Sequence, residues 1–181
     1  MRVIAGSARS IPLMTPDGDC TRPTTDRIKE TLFNIIMDDI PGCNFLDLFY
    51  GSGQIGIEAL SRGAASAAFI EKNKKVAELI GKNLKKTGLE EAATVIRGDV
   101  ISNIPGLKAH PPFDIIYMDP PYDLKAEEQV IESIAEAGIL SDGGMIIIEA
   151  DLKRELKSIP GFRVYREKTY KTNKHIFLEA I

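Results

Sequence analysis

From residue 45 onward, short apolar runs alternate with stretches whose apolar residues recur every three or four positions, and this alternation constrains the fold more than any other feature. Apolar runs of five or six residues suit strands covered on both faces. Helical patterns between them supply the covers, so the reading is α/β with βαβ units and a parallel sheet. Candidate strands are Phe45 to Phe49, Ala67 to Glu71, Thr94 to Arg97, Asp114 to Asp119, Met145 to Glu149, Arg163 to Tyr170 and Lys174 to Ile181. Only Lys171 to Asn173 separates the last two, too short for a crossover helix, so they must pair as an antiparallel hairpin at the end of the sheet. Ile55 to Arg62, Lys74 to Lys86 and Lys125 to Ala137 read as helices, with Gly63, Gly88 and Gly138 where each stops. Upstream, Thr24 or Thr25 can cap a helix whose Ile28, Leu32, Phe33, Ile35 and Ile36 share a face, ending before Pro41. Val3, Ile4, Ile11 and Leu13 flank Gly6 and Ser7 as a small hairpin or arm. The expected organisation is an arm over residues 1–23 ahead of a single domain over 24–181.

Composition removes whole classes of function. With 181 residues and 44% hydrophobic content, a chain of this size buries roughly 70% of the surface its unfolded form exposes and needs no staple. Cys20 and Cys43 lack metal-site spacing and His110 lies far from His175, so no metal is expected. No signal peptide or membrane span is visible, which implies a cytoplasmic protein without a membrane partner. The net charge of -3 argues against a polybasic coat, but the charge is uneven: residues 1–25 hold three arginines against two aspartates, and residues 151–181 hold eight basic against four acidic side chains. The tail is the basic part, read either as a solvated surface or as a patch that meets phosphates.

The strand ending at Phe49 runs into Gly51-Ser52-Gly53-Gln54-Ile55-Gly56, and a helix follows at once. Glycines let the backbone turn tightly and approach a ligand, while the helix start offers unpaired N–H groups. The same spacing satisfies the dinucleotide fingerprint, with Glu71 at the end of the second strand positioned for a ribose, so an NAD-type site is a rival reading. Asp47 weighs against it: a carboxylate there can pair with an amino group such as that of methionine, whereas it would repel a pyrophosphate. Asp99, after the third strand, can accept from an exocyclic amine such as adenine N6. Three acids around one crevice favour S-adenosylmethionine. Each also has a plain alternative: Asp47 as a turn cap, Glu71 as surface, Asp99 as a helix cap.

A buried-strand pattern over Phe113 to Met118 delivers Asp119-Pro120-Pro121-Tyr122 to the same sheet edge. The prolines fix the backbone and remove two donors, leaving the Asp119 carboxylate and the Pro120 carbonyl as an acceptor pair for an NH2 group. A nucleobase amine is a poor nucleophile because its lone pair is delocalised into the ring, and such acceptors favour the pyramidal geometry needed for attack on a methyl sulfonium. Tyr122 offers a stacking face, worth roughly 1–3 kcal/mol.

Asp47-Leu48-Phe49-x-Gly51-Ser52-Gly53-x-x-Gly56-Ile57-Glu58-Ala59-Leu60-Ser61-Arg62-Gly63-Ala64, with Arg22-Pro23-Thr24-Thr25-Asp26-Arg27 upstream and Asp119-Pro120-Pro121-Tyr122 downstream, resembles the RsmD family over nearly the whole length. The resemblance implies a class I (Rossmann-like) methyltransferase that uses S-adenosylmethionine to methylate the exocyclic N2 of a guanine in small-subunit (16S) ribosomal RNA. It implies that Asp47, Gly51, Ser52, Gly53, Glu71, Lys72, Asp99, Val100 and Thr24 hold the cofactor. It also implies that Asp119, Pro120, Pro121 and Tyr122 carry the chemistry, and that Arg2, Arg9 and Arg22 meet RNA. Tyr50 and Gln54 stand where small residues are usual in the family's loop, and the tail Lys168-Thr169-Tyr170-Lys171 lacks the expected Tyr-Gly pair. Little excess positive charge points to an assembled or assembling small subunit as the substrate. A DNA adenine-N6 methyltransferase and a non-catalytic cofactor-binding protein are the alternatives; the first would need a recognition domain for which 181 residues leave little room.

Overall fold

A computed structural model describes residues 1–16, 25–49, 51–120, 127–156 and 159–181. Arg22, Pro23, Thr24, Tyr50, Pro121 and Tyr122, and with them Cys20, lie outside the described residues.

The apolar runs form seven strands: β1 (Asn44–Leu48), β2 (Ser66–Glu71), β3 (Ala93–Arg97), β4 (Phe113–Met118), β5 (Leu140–Ala150), β6 (Phe162–Thr169) and β7 (Lys174–Ala180). They make one sheet in the order β3-β2-β1-β4-β5-β7-β6. β3 to β5 run parallel across the sheet, and β7 inserts antiparallel between β5 and β6, with Ala150 opposite Lys174 and Met145 opposite Glu179. The expected hairpin is therefore present, but the strand that reaches the sheet body is the second of the pair.

The helices are α1 (Asp26–Ile35), α2 (Gln54–Ser61), α3 (Lys74–Thr87), α4 (Val100–Asn103) and α5 (Glu127–Ala137). Thr25 caps α1, its hydroxyl accepting from the Ile28 N–H at 3.3 Å, and α3 ends at Gly88 in the left-handed conformation that glycine adopts without strain. α4 and the 3-10 turn after it (Ile104–Ala109) add to the elements expected from sequence, because one helical turn interrupted by Pro105 shows no periodicity. Leu32, Phe33, Phe45, Ile57, Phe69 and Phe177 pack on one face of the sheet, and Leu46, Ile70, Ile104, Ile131, Ile148 and Leu178 on the other.

The first sixteen residues form an irregular arm with one antiparallel bridge, Arg2 to Pro12, in place of a regular hairpin. Val3, Ala8 and Leu13 are buried in the same core as α1 and α2. Glu58 on α2 holds the arm: its carboxylate accepts from the N–H groups of Ile4 (2.8 Å) and Ala5 (3.0 Å) and pairs with Arg62 and the buried Lys29. The arm's start reaches the glycine loop, where the Ser52 hydroxyl donates to Met1 Sδ at 2.9 Å.

Candidate active site

Every parallel strand ends at the same edge, so the loops after β1, β2 and β4 converge there, which is where open α/β sheets place ligands. The walls of the resulting crevice include Asp47, Gly51, Gly53, Gln54, Tyr117 and Asp119. β1 and β4 are neighbours with Asp47 opposite Tyr117, so the glycine loop and the start of the Asp-Pro-Pro segment face each other across one register step.

Local physics explains the loop. Phe49 takes φ 75°, a left-handed conformation unusual for a bulky residue, and Gly53 takes φ 71° to start α2. A Cβ on Gly56 would come within 2.4 Å of the Phe69 ring, so glycine there lets α2 lie directly on β2. Gly56 gives its N–H to Asp47 Oδ2 at 2.9 Å. The capping reading of Asp47 thus holds, and the same carboxylate lines the crevice. Burial pushes its carboxyl up to about 7 against the pull of the Gly56 N–H, and the Glu71 charge adds to the rise.

Glu71 ends β2, is 3% exposed, and accepts from the Asn73 N–H at 2.6 Å through Oε1. Its Oε2 is buried without a partner. Burial raises its pKa as well. A buried acceptor at that strand end fits a ribose hydroxyl, and a second carboxylate at the glycine loop fits a ligand ammonium; this donor set suits S-adenosylmethionine. The surface reading of Glu71 does not hold.

Asp99 behaves differently. It is exposed, and its Oδ1 accepts from the Ser102 N–H and hydroxyl, each at 3.2 Å, capping α4. Oδ2 stands 4.0 Å from the exposed Lys72 ammonium, outside the crevice walls. Val100 turns its side chain into the core. Asp99 and Lys72 therefore lie outside the crevice walls, Val100 packs in the core, and among the described residues only Asp47, Gly51, Gly53 and Asp119 of those expected line the crevice itself. Ser52 is buried, its carbonyl accepting from Asn83 Nδ2 at 3.0 Å.

Asp119 emerges at the end of β4, its N–H bonded to the Leu48 carbonyl, with Pro120 buried behind it. Burial raises its carboxyl well above the usual range, and the nearby Glu149 and Asp47 charges raise it further. Glu149, on β5, escaped the sequence reading. It is 4% exposed, accepts from the Tyr117 hydroxyl at 2.7 Å and from the Asn173 amide, and lies 3.6 Å from His175 Nε2. A tyrosine and a glutamate inside otherwise apolar strands were the available signal.

Arg2 and Arg9 lie on the arm beside Arg27, where a surface groove also carries Asp26 and Glu30; Arg2 pairs with Asp26 at 3.2 Å. Among the described residues, no three His, Cys, Asp or Glu side chains converge as a metal site requires, and no helix is long and apolar enough to cross a membrane.

The family model described as conserved hypothetical protein 95 matches residues 1–179. A putative ribosomal RNA methyltransferase of Bacillus subtilis, YlbH, is 38% identical over 172 residues, covering 94% of each chain. The ribosomal RNA small subunit methyltransferase D of Escherichia coli K12 is 36% identical over 171 residues, 93% of this chain and 84% of that one. A solved structure described as a putative methyltransferase of Escherichia coli superposes with a TM-score of 0.87 at 34% identity, over 99% of this chain and 97% of that one. Agreement over most of the length of both partners, in sequence and in structure alike, places this chain in the RsmD family, the family of that conserved hypothetical protein 95 model.

Proposed function

We propose that the protein transfers a methyl group from S-adenosylmethionine to the exocyclic N2 of a guanine in small-subunit ribosomal RNA. One observation carries this reading: Asp119, an acceptor for an amine, shares a crevice with Asp47 and the glycine loop. The relatives' names supply the RNA class, and the resemblance supplies the guanine and its N2. S-adenosylmethionine provides an electrophilic sulfonium methyl when bound. Asp47 pairs with its ammonium, Glu71 accepts from its ribose, and Gly51 and Gly53 let the backbone approach.

The Asp119 carboxylate and the Pro120 carbonyl accept the two N–H bonds of the target amine and aim its lone pair at the methyl carbon. The chain supplies position rather than a strong base, and position alone is worth up to roughly 7–11 kcal/mol of barrier. A guanine must leave its stack to reach Asp119, at a few kcal/mol, which is least where the base is already unpaired. The preferred substrate is thus an assembled or assembling small subunit that presents the base on a formed surface.

Asp119→Ala keeps its affinity for S-adenosylhomocysteine in calorimetry and loses methyl transfer; near-normal turnover would refute the role. The same calorimetry separates cofactor classes, since NAD would place its pyrophosphate against Asp47 and is expected not to bind.

A further inference from the structure

Behind the crevice, β4, β5 and β7 enclose a file of polar side chains that binding and orientation leave unused. The Tyr117 hydroxyl donates to Glu149 Oε2 at 2.7 Å. Glu149 Oε2 lies 3.6 Å from His175 Nε2, whose side chain is fully buried and whose Nε2 has no hydrogen-bond partner. The other ring nitrogen, Nδ1, is 3.0 Å from the hydroxyl of Tyr170, which is half-buried at the end of the hairpin. Asn173 donates its amide to Glu149 Oε1 and keeps a buried, unpartnered Oδ1. The file begins at a crevice wall, since Tyr117 lines it together with Asp119, and it ends at a side chain that reaches solvent.

We propose that Tyr117, Glu149, His175 and Tyr170 form a relay that carries the proton shed by the methylated amine from the crevice to the surface. The inference rests on the amine methyltransferase reading above and extends it. When the amine lone pair forms the N–C bond and the S–C pair returns to sulfur, the nitrogen is left cationic with one proton too many. Asp119 accepts that proton. Tyr117 and Asp119 share the crevice wall; once they come within hydrogen-bond reach, Tyr117 takes the proton from Asp119 in a concerted shift and gives its own hydroxyl proton to Glu149. Glu149 passes it to His175 Nε2 once that gap closes to hydrogen-bond length, Nδ1 releases a proton to Tyr170, and Tyr170 releases one to water. One proton enters and one leaves, and each group ends as it began.

The unpartnered Nε2 is what distinguishes a relay from a static network. Nε2 is left open toward Glu149 while Nδ1 contacts Tyr170, so the ring can take a proton on one nitrogen and release one from the other. The titratable groups facing Glu149 are Tyr117 and Asp119 from β4, Asp47 from β1, His175 from β7 and Tyr170 from the end of the hairpin. None of the relay residues beyond Tyr117 touches substrate; they are positioning residues that act through Asp119.

The test is steady-state, multiple-turnover transfer from radiolabelled S-adenosylmethionine to small ribosomal subunits that lack the modification, using the full chain, because the relay must clear a proton before each new cycle. Glu149→Gln preserves shape, because Asn173 can turn its free Oδ1 to accept from the new amide while Tyr117 still donates to the new carbonyl. The expected result is a fall in kcat of about a hundredfold, the lower range for positioned proton transfer, with KM for the subunit and S-adenosylhomocysteine affinity unchanged. Tyr170→Phe, at the surface end, is expected to lower kcat with the same pattern and to change the solvent deuterium isotope effect. Wild-type rates in both variants overturn the relay, as does a loss confined to Glu149→Gln, which would leave Glu149 a local partner only. Should Glu149→Gln fail to fold, Tyr170→Phe decides alone. A wild type that methylates no subunit refutes the underlying reading, whereas an active wild type with unaffected variants refutes the relay alone.

Discussion

Asp47 does two things with one carboxylate, and they conflict at neutral pH. Its folded-state pKa of about 7 lies above the ordinary 3.8, so the fold favours the protonated form. Stability from this group is therefore full below about pH 4 and declines as pH rises toward 7. A bound ammonium reverses the balance by stabilising the anion. Asp47→Asn should accordingly gain thermal stability relative to wild type between pH 5 and pH 8 when ligand-free. It should bind S-adenosylhomocysteine roughly ten- to a hundredfold more weakly, the worth of a charged hydrogen bond. Differential scanning calorimetry and titration calorimetry measure the two halves. The side chain was legible in sequence because an acid preceding a glycine loop stands out within a few neighbouring residues. Glu149 was not, because its meaning depends on Tyr117, Asn173 and His175, which only the pairing of β4, β5 and β7 brings together.

At the scale of elements, the strands and longer helices were legible because each carries a pattern: β1, β2 and β4 are short, mostly apolar runs covered on both faces, and α3 carries Val76, Ile80 and Leu84 on one face. The arm has no period, and its attachment is tertiary. Glu58 lies on α2 with its side chain fully buried, binding two arm N–H groups, Arg62 and the fully buried Lys29. Burial lowers the Lys29 pKa against the pull of Glu58. Glu58→Ala leaves an uncompensated buried ammonium and two unbonded amides, a loss of about 3–5 kcal/mol, read from the urea midpoint. Adding Lys29→Met should recover part of that loss by removing the stranded charge. A double variant no more stable than Glu58→Ala would show that the arm, and not the ion pair, depends on Glu58.

For the whole molecule, charge and topology act together. β6 is an outer strand with mostly exposed residues, among them Arg166, and with the half-buried Lys168 near its end. If these meet phosphates in the substrate, Arg166→Ala with Lys168→Ala lowers the slope of log affinity against log salt by about 0.7–0.9 for each phosphate no longer neutralised. Filter binding to small subunits across a salt series measures it, and an unchanged slope would assign those charges to solvent. The sheet itself has two halves that meet at β1 and β4: the strands toward β3 frame the glycine loop and Glu71, and the strands toward β6 frame Glu149 and the hairpin. Because β7 runs against its neighbour β5, the bend between β6 and β7 comes out at the same sheet edge as Asp119 instead of at the far one. If the proposed reading holds, a lineage could lengthen or recharge that bend to meet a different nucleotide while leaving the strands that carry Asp47 and Glu71 untouched.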